Sequence, residues 1–240
     1  VVIKMNSLQL SNRLRVVASY LPDHARFADI GSDHAYLPCY VCLQNHTATA
    51  IAGEVNDGPF QSAKSEVRKQ GLQDRIEVRK GNGLDVIDEG EVSQITIAGM
   101  GASLIAMILN EGLSKLNHVS RLILQPNVNA TLLRKWFIEH DYELTDEQII
   151  EEEGHYYEIL VADKGMPRKP YTEDNFEKEL YFGPFLMEES SKVFREKWSS
   201  EAENIERILS EMKKASQPNH DKIEDFTRKL NWMEEVLHNE

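Results

Sequence analysis

Apolar residues at Leu10, Leu14, Val17, Ala18 and Leu21 recur at helical spacing behind Ser7, which predicts a helix over residues 7–21 with Ser7 as its N-cap. From there to about residue 140 the pattern alternates. Short apolar runs at 26–30, 48–53, 76–79, 93–98 and 122–124 read as strands. The stretches at 38–44, 57–70, 102–110 and 130–140 read as helices, two of them closed by Gly71 and Gly112. Strands separated by helices of this length imply βαβ units and a mostly parallel sheet.

The pattern changes after residue 140. Runs at 142–150 and 156–162 have strand character and are joined by 151–155, which holds a glycine, as in a hairpin. Residues 164–171 are rich in Gly, Pro and basic side chains and read as a linker. Beyond Glu173 the chain favours helix. Ile223, Phe226, Leu230, Met233 and Leu237 step by 3, 4, 3 and 4, the seam of a coiled coil. Ile205, Leu209 and Met212 offer a matching stripe, and Gln217-Pro218-Asn219 the turn between the two helices. The expected fold class is α/β. A mostly parallel sheet with a C-terminal antiparallel hairpin occupies 1–163, a linker 164–172, and a helical coiled-coil hairpin 173–240.

Charge complicates one class of partner. Lys and Arg number 27 against 40 Asp and Glu, a net of −13 that repels phosphate backbones at long range. A nucleic-acid partner therefore needs local positive surface. The first 22 residues supply one, with Lys4, Arg13 and Arg15 and no acid. The pairs Arg68–Lys69, Arg79–Lys80 and Arg134–Lys135, and a later set of Arg168, Lys169, Arg195 and Lys197, equally suit solvated faces. No apolar stretch reaches the roughly 18 residues of a membrane span, and the opening residues are too few and too polar for a signal peptide. A soluble cytoplasmic protein is expected, a monomer, with dimerisation through the coiled coil as the alternative. Cys39 and Cys42 read as apolar filler on a helix rather than a redox or zinc pair, and no metal is expected.

In an open parallel sheet, ligands bind beyond the carboxyl ends of the strands, so the residues that end each strand carry the chemistry. The first strand ends in Asp29-Ile30-Gly31-Ser32-Asp33-His34. Its acids are unwelcome to a pyrophosphate and welcome to an ammonium group, and the pattern GxGxxG is absent. This argues against a nicotinamide dinucleotide and for a positively charged, phosphate-free ligand. Glu54, about 20 positions further on, has the spacing of a ribose-diol acceptor. Asn82, between Gly81 and Gly83, is placed to hydrogen-bond an adenine edge. Ala98-Gly99-Met100-Gly101 offers bare backbone to a flat ligand, and Gln125-Pro126-Asn127 offers amides that both donate and accept.

The runs Asp29-Ile30-Gly31-Ser32-Asp33-His34-Ala35-Tyr36-Leu37-Pro38, Ile97-Ala98-Gly99-Met100-Gly101 and Leu124-Gln125-Pro126-Asn127, with Gly183-Pro184 later, resemble the bacterial tRNA (adenine(22)-N1)-methyltransferase family. The resemblance implies a Rossmann-like methyltransferase domain followed by a coiled-coil domain, S-adenosyl-L-methionine as cofactor and tRNA as partner. On that basis the methionine moiety lies by Asp29, Gly31 and Asp33, the ribose on Glu54 and the adenine near Asn82, with Ser32, His34, Val55, Gly83, Ala98, Gly99 and Met100 completing the cofactor site. Gln125 and Asn127 are expected to hold a flipped adenine during transfer. Arg13, Arg15, Tyr36, Gly101, Pro126 and Tyr157 are the further expected substrate contacts. Ala102 stands where the family often repeats glycine, and Asn82 where many methyltransferases have aspartate. A methyltransferase acting on a protein or small molecule, and a non-catalytic RNA- or partner-binding module, are the alternatives.

Overall fold

A computed structural model of the chain describes residues 6–214 and 219–238. Lys4 and the Gln217-Pro218 turn lie outside the described residues. After α1 (Asn12–Ser19) come β1 (Arg26–Ile30), α2 (Tyr36–Gln44), β2 (Thr49–Glu54), α3 (Asp57–Lys69) and β3 (Ile76–Lys80). Then follow β4 (Gln94–Met100), α4 (Ala102–Glu111), β5 (Arg121–Pro126), α5 (Ala130–Glu139), β6 (Tyr142–Glu152) and β7 (His155–Lys164). The helices α6 (Phe176–Phe182), α7 (Pro184–Glu189), α8 (Lys192–Lys214) and α9 (His220–His238) complete the chain. None of the described helices is long and apolar enough to cross a membrane.

The strands form one seven-stranded sheet in the order β3-β2-β1-β4-β5-β7-β6. β1 to β5 are parallel, and the hairpin adds β7 antiparallel to β5 with β6 at the edge. Because helices cover both faces, the central strands are buried almost throughout, and their side chains divide by parity between two cores. Ala28, Ile30, Ile95, Ile97, Leu122 and Leu124 pack on the α4–α5 side. Phe27, Ala50, Ala52 and Ile123 pack on the side of α1, α2 and α3. The order of strands reverses between β1 and β4, which opens a crevice beyond their carboxyl ends.

The hairpin is tighter than expected. Strand pairing continues to Glu152–His155, leaving a two-residue turn at Glu153 and Gly154 with φ of 53° and 79°. Two successive positive φ values match the right-handed twist of the strands they join. The first helix begins later than expected. Asn6 Oδ1 accepts the N–H groups of Leu8 and Gln9, which turns the backbone out of helix there. Ser11, not Ser7, caps α1 by accepting the Leu14 N–H, and Ser7 donates its hydroxyl to Glu66 on α3 at 2.5 Å.

In the C-terminal region α8 and α9 pack in antiparallel fashion, since Trp198 early in α8 and Trp232 late in α9 both meet Tyr181. Ile205 and Leu209 are buried as expected, but on α9 full burial falls on Met233 and Val236, while Ile223, Phe226, Leu230 and Leu237 are half-buried. Phe182, Phe194 and Trp198 build an edge-to-face cluster where these helices join Ile149 of β6. The stretch expected as a linker is pinned to the sheet: Lys169 pairs with Glu143 at 2.5 Å and Tyr171 packs against the α4–α5 core.

Candidate active site

The crevice at the strand reversal is walled first by the loop after β1. Gly31 and Ser32 both donate their N–H to the Gly53 carbonyl, at 3.0 and 3.1 Å, which folds the chain onto the end of β2. Gly31 has φ +72°, and a Cβ there would lie 2.2 Å from Met100 Cε, so the loop and the end of β4 approach more closely than any other residue allows. Asp33 and Ala35 also take left-handed backbone, with φ of 54° and 55°, at a cost of order 1–3 kcal/mol each. The Asp33 N–H is held by the Glu54 carboxylate and the Ala35 N–H by the Ser32 carbonyl. The loop is therefore fixed in a conformation its residues do not prefer.

Three carboxylates surround it. Asp29 is buried beneath the loop and accepts the hydroxyls of Ser32, at 2.6 Å, and Thr96, at 2.7 Å. Burial pushes its carboxyl up to about 6, against those two hydrogen bonds and with a further push from Glu54. Burial likewise raises Glu54, opposed by the N–H groups of Asp33 and Val55. Asp33 is exposed at the rim with His34, whose ring stacks on Tyr36 at 5.0 Å. Acids clustered at one loop and partly stripped of water make a site that favours positive charge. Thr96 was missed by the sequence reading, although a lone hydroxyl between Ile95 and Ile97 in a buried strand marks such a partner.

Next to Glu54, Val55 stands 53% exposed, and the loop after β3 brings Asn82 and Gly83 to the same end of the crevice. Gly83 has φ +52°, and a Cβ on it would touch Ile108 of α4 at 3.0 Å. An exposed amide beside apolar Val55 suits a flat heterocycle with polar edges.

The opposite wall is made by β4 and β5. Their register shifts between Ala98 and Met100, leaving Gly99 as an extra residue with φ +77°. Asn127 braces this bulge, donating its side-chain amide to the Gly99 carbonyl at 2.9 Å and its N–H to the Met100 carbonyl at 2.7 Å. It is exposed at the rim, and Gly101 beside it is open to added atoms. Gln125 departs from expectation. It is fully buried, its carbonyl accepts the Gly99 N–H at 2.9 Å and the Arg13 guanidinium, and its amide donates to the Pro126 carbonyl. With every polar atom engaged, it stands behind the rim rather than facing the crevice, and Pro126 is buried with it.

Arg13 reaches this wall from α1. Its guanidinium lies 5.0 Å from the Tyr157 ring centroid, and its Nε stands 3.9 Å from the Glu152 carboxylate. Arg15 is not brought in, because it bonds Asn12 at 2.9 Å on the outer side of α1. Tyr36 sits with His34 at the β1 loop. In the other basic pairs Arg79 binds Glu77 and Glu91, Lys80 binds Asp57, Lys69 binds Glu66, and Arg134 is wholly buried. Cys39 and Cys42 are buried thiols that burial pushes up to about 12 and about 11, so neither is a thiolate at neutral pH.

Comparison with known proteins assigns this architecture. The family model described as tRNA (adenine(22)-N(1))-methyltransferase matches residues 27–235. The tRNA (adenine(22)-N(1))-methyltransferase of Bacillus subtilis is 46% identical over 235 residues, covering 97% of this chain and 99% of that protein. The crystal structure of the B. subtilis m1A22 tRNA methyltransferase superposes with a TM-score of 0.90 at 45% identity, over 96% of this chain and 99% of that one. Streptococcus pneumoniae Sp1610, solved in complex with S-adenosyl-L-methionine, gives 0.85 at 43% identity over 96% and 100%. With its acid-rimmed crevice at the strand reversal and a match that spans nearly its whole length, the chain belongs to the tRNA (adenine(22)-N(1))-methyltransferase family.

Proposed function

We propose that this protein methylates N1 of adenine 22 in tRNA, acting as a monomer in the cytoplasm, where tRNA is found. The observation that carries the reading is that the acid-bearing loop held by Asp33 and Glu54 meets, at the close approach of Gly31 to Met100, the bulge braced by the exposed amide of Asn127. The residues fit S-adenosyl-L-methionine. The carboxylates of Glu54 and Asp33 suit a ribose diol and an ammonium group, Val55, Asn82 and Gly83 suit the adenine, and Gly31, Ala98, Gly99 and Met100 supply close backbone. When bound, this cofactor supplies an electrophilic methyl group on a cationic sulfur. Asp29, Ser32 and His34 shape and charge the loop beside it.

The reaction asks the protein for no proton transfer, because adenine N1 carries a free lone pair at neutral pH. What the chain provides is alignment, worth roughly 7–11 kcal/mol where reacting atoms are held in near-attack geometry. N1 is engaged in folded RNA, so the base is turned out at a cost of a few kcal/mol. In this reading Asn127 and the bulge at Gly99 and Met100, with Gly101 open beside them, receive it, while Arg13, seated on Tyr157, meets its phosphate. Gln125 acts as a positioning residue that fixes both Arg13 and the bulge. In this reading residues 1–163 carry the transfer and residues 173–240 form a helical arm.

The test is methyl incorporation from labelled cofactor into tRNA, mapped by reverse-transcription stops. A stop at nucleotide 22, lost when that adenine is replaced by guanine, is expected; a stop elsewhere, or label in protein alone, overturns the reading. Glu54→Ala is expected to weaken cofactor binding by about tenfold to a hundredfold, since it removes a buried charged acceptor and frees the Asp33 N–H. Calorimetry with S-adenosyl-L-methionine measures this, and wild-type affinity in the variant removes Glu54 from the site.

A further inference from the structure

A groove of about 450 Å³ opens beside the transfer rim, sharing Pro126 and Asn127 with it and extending away from it toward α8. One wall is the segment that follows Asn127, with Val128 and Asn129. The end is the β6–β7 tip at His155 and Tyr156, and the far wall is α8 at Lys197 and Trp198. Val128 is 68% exposed, an apolar side chain held out by a segment fixed through Asn127 and by the bond from the Leu132 N–H to the Asn129 carbonyl.

We infer that this groove holds an unstacked nucleobase adjacent to the target adenine in the RNA substrate. The inference rests on the reading of Asn127 as part of the transfer site, since the two share a wall. Charge selects the occupant. The groove's cation, Lys197, is already bound to the Glu158 carboxylate, and Glu201 adds a second acid to the lining. A phosphate is poorly served there, whereas a neutral ring with hydrogen-bonding edges is well served. Tyr156 and Val128 offer apolar surface to its faces, and Asn129 and His155 offer donors and acceptors to its edges. The volume lies in the range of small-molecule pockets and admits a purine with water. An adjoining hollow further along α8 shares Tyr156 and sets Lys192 and Arg195 beside Glu196 and Glu203. Turning the target base out exposes its neighbours' faces, and stacking them on protein offsets part of that cost.

The test uses full-length tRNA carrying an abasic residue on one or the other side of the target adenine. With the wild-type protein, one of the two substrates is expected to raise KM about tenfold, the usual scale of a lost base–aromatic stack, at unchanged cofactor affinity. Tyr156→Ala and, independently, Val128→Ser are expected to raise KM for intact tRNA and to erase the penalty of that abasic substrate. Val128 is exposed, so its variant folds even if Tyr156→Ala does not. The proposal is overturned if both abasic substrates equal intact tRNA, or if the penalty persists undiminished in the variants. Failure of the transfer reading looks different, since intact tRNA then receives no methyl at nucleotide 22 from the wild-type protein.

Discussion

Replacing Arg134 by alanine is expected to cost about 3–5 kcal/mol of stability, the scale for leaving buried charges unpaired. Arg134 on α5 is fully buried and joins three other elements. Its Nε donates to Glu147 on β6 at 2.6 Å, one terminal nitrogen donates to Glu158 on β7 at 2.5 Å, and the other reaches the Leu180 and Tyr181 carbonyls of α6. Lys197 on α8 closes the set on the second oxygen of Glu158. Gly183 is part of the same device: with φ +93°, a Cβ there would lie 2.5 Å from Glu147 and 2.6 Å from Arg134. The helical arm is thus attached to the sheet by an ionic cluster with no room around it.

The carboxyls of this cluster differ. Burial alone would raise Glu158, but Lys197 and Arg134 hold it below the usual range. Glu147 shares only Arg134, and burial pushes it up to about 7. A carboxyl whose folded pKa exceeds its unfolded value contributes stability below about pH 4.5 that is lost as pH rises through about 7. Without Arg134 that loss deepens, so Arg134→Ala is expected to gain melting temperature on acidification from pH 8 to 6 more than the wild type does. Adding Glu147→Leu to Arg134→Met is expected to recover most of the stability, since Glu158 keeps Lys197. Urea unfolding followed by tryptophan fluorescence measures all three proteins, and an alanine variant within about 0.5 kcal/mol of wild type would sink the argument.

The cluster also marks where sequence reading stopped. Strands β1, β2, β4 and β5 are legible because burial on both faces writes them as unbroken apolar runs, and their ends locate the crevice. Their lateral order is not legible, because it depends on which helix packs on which face. Arg134 beside Lys135 in an amphipathic helix reads as solvated; its partners lie 13 and 24 residues onward, on strands whose own alternation hides an inward acid. Gln125 misleads for a related reason. A polar residue before Pro-Asn at a strand end reads as exposed, and only the bulge at Gly99 makes the gap that takes its amide. Tyr156 and Tyr157 are adjacent in sequence yet serve opposite faces of β7, one lining the groove and the other carrying Arg13.

Asn127→Ala is expected to lower kcat by about a hundredfold, the scale of a misplacement near 1 Å at the reacting centre, while leaving cofactor affinity within about a factor of two. The amide does two things at once. Its nitrogen fixes the Gly99 carbonyl, so its removal leaves the bulge held by the Gln125 side chain and the backbone bond to Met100. Its oxygen, 3.4 Å from the Gln125 amide, retains acceptor capacity toward the crevice. An acceptor there suits the amino group next to adenine N1 and opposes the carbonyl that guanine carries at the same position, so under the proposed function one side chain is expected both to orient the base and to reject the wrong purine. Asn127→Asp keeps the acceptor and loses the bond to Gly99, and is expected to fall between wild type and alanine. Single-turnover rates on tRNA with saturating cofactor separate these contributions from binding. An alanine variant that transfers methyl at the wild-type rate would show that the bulge holds itself and that the base is read elsewhere. A fall confined to KM would make Asn127 a docking contact rather than a catalytic residue.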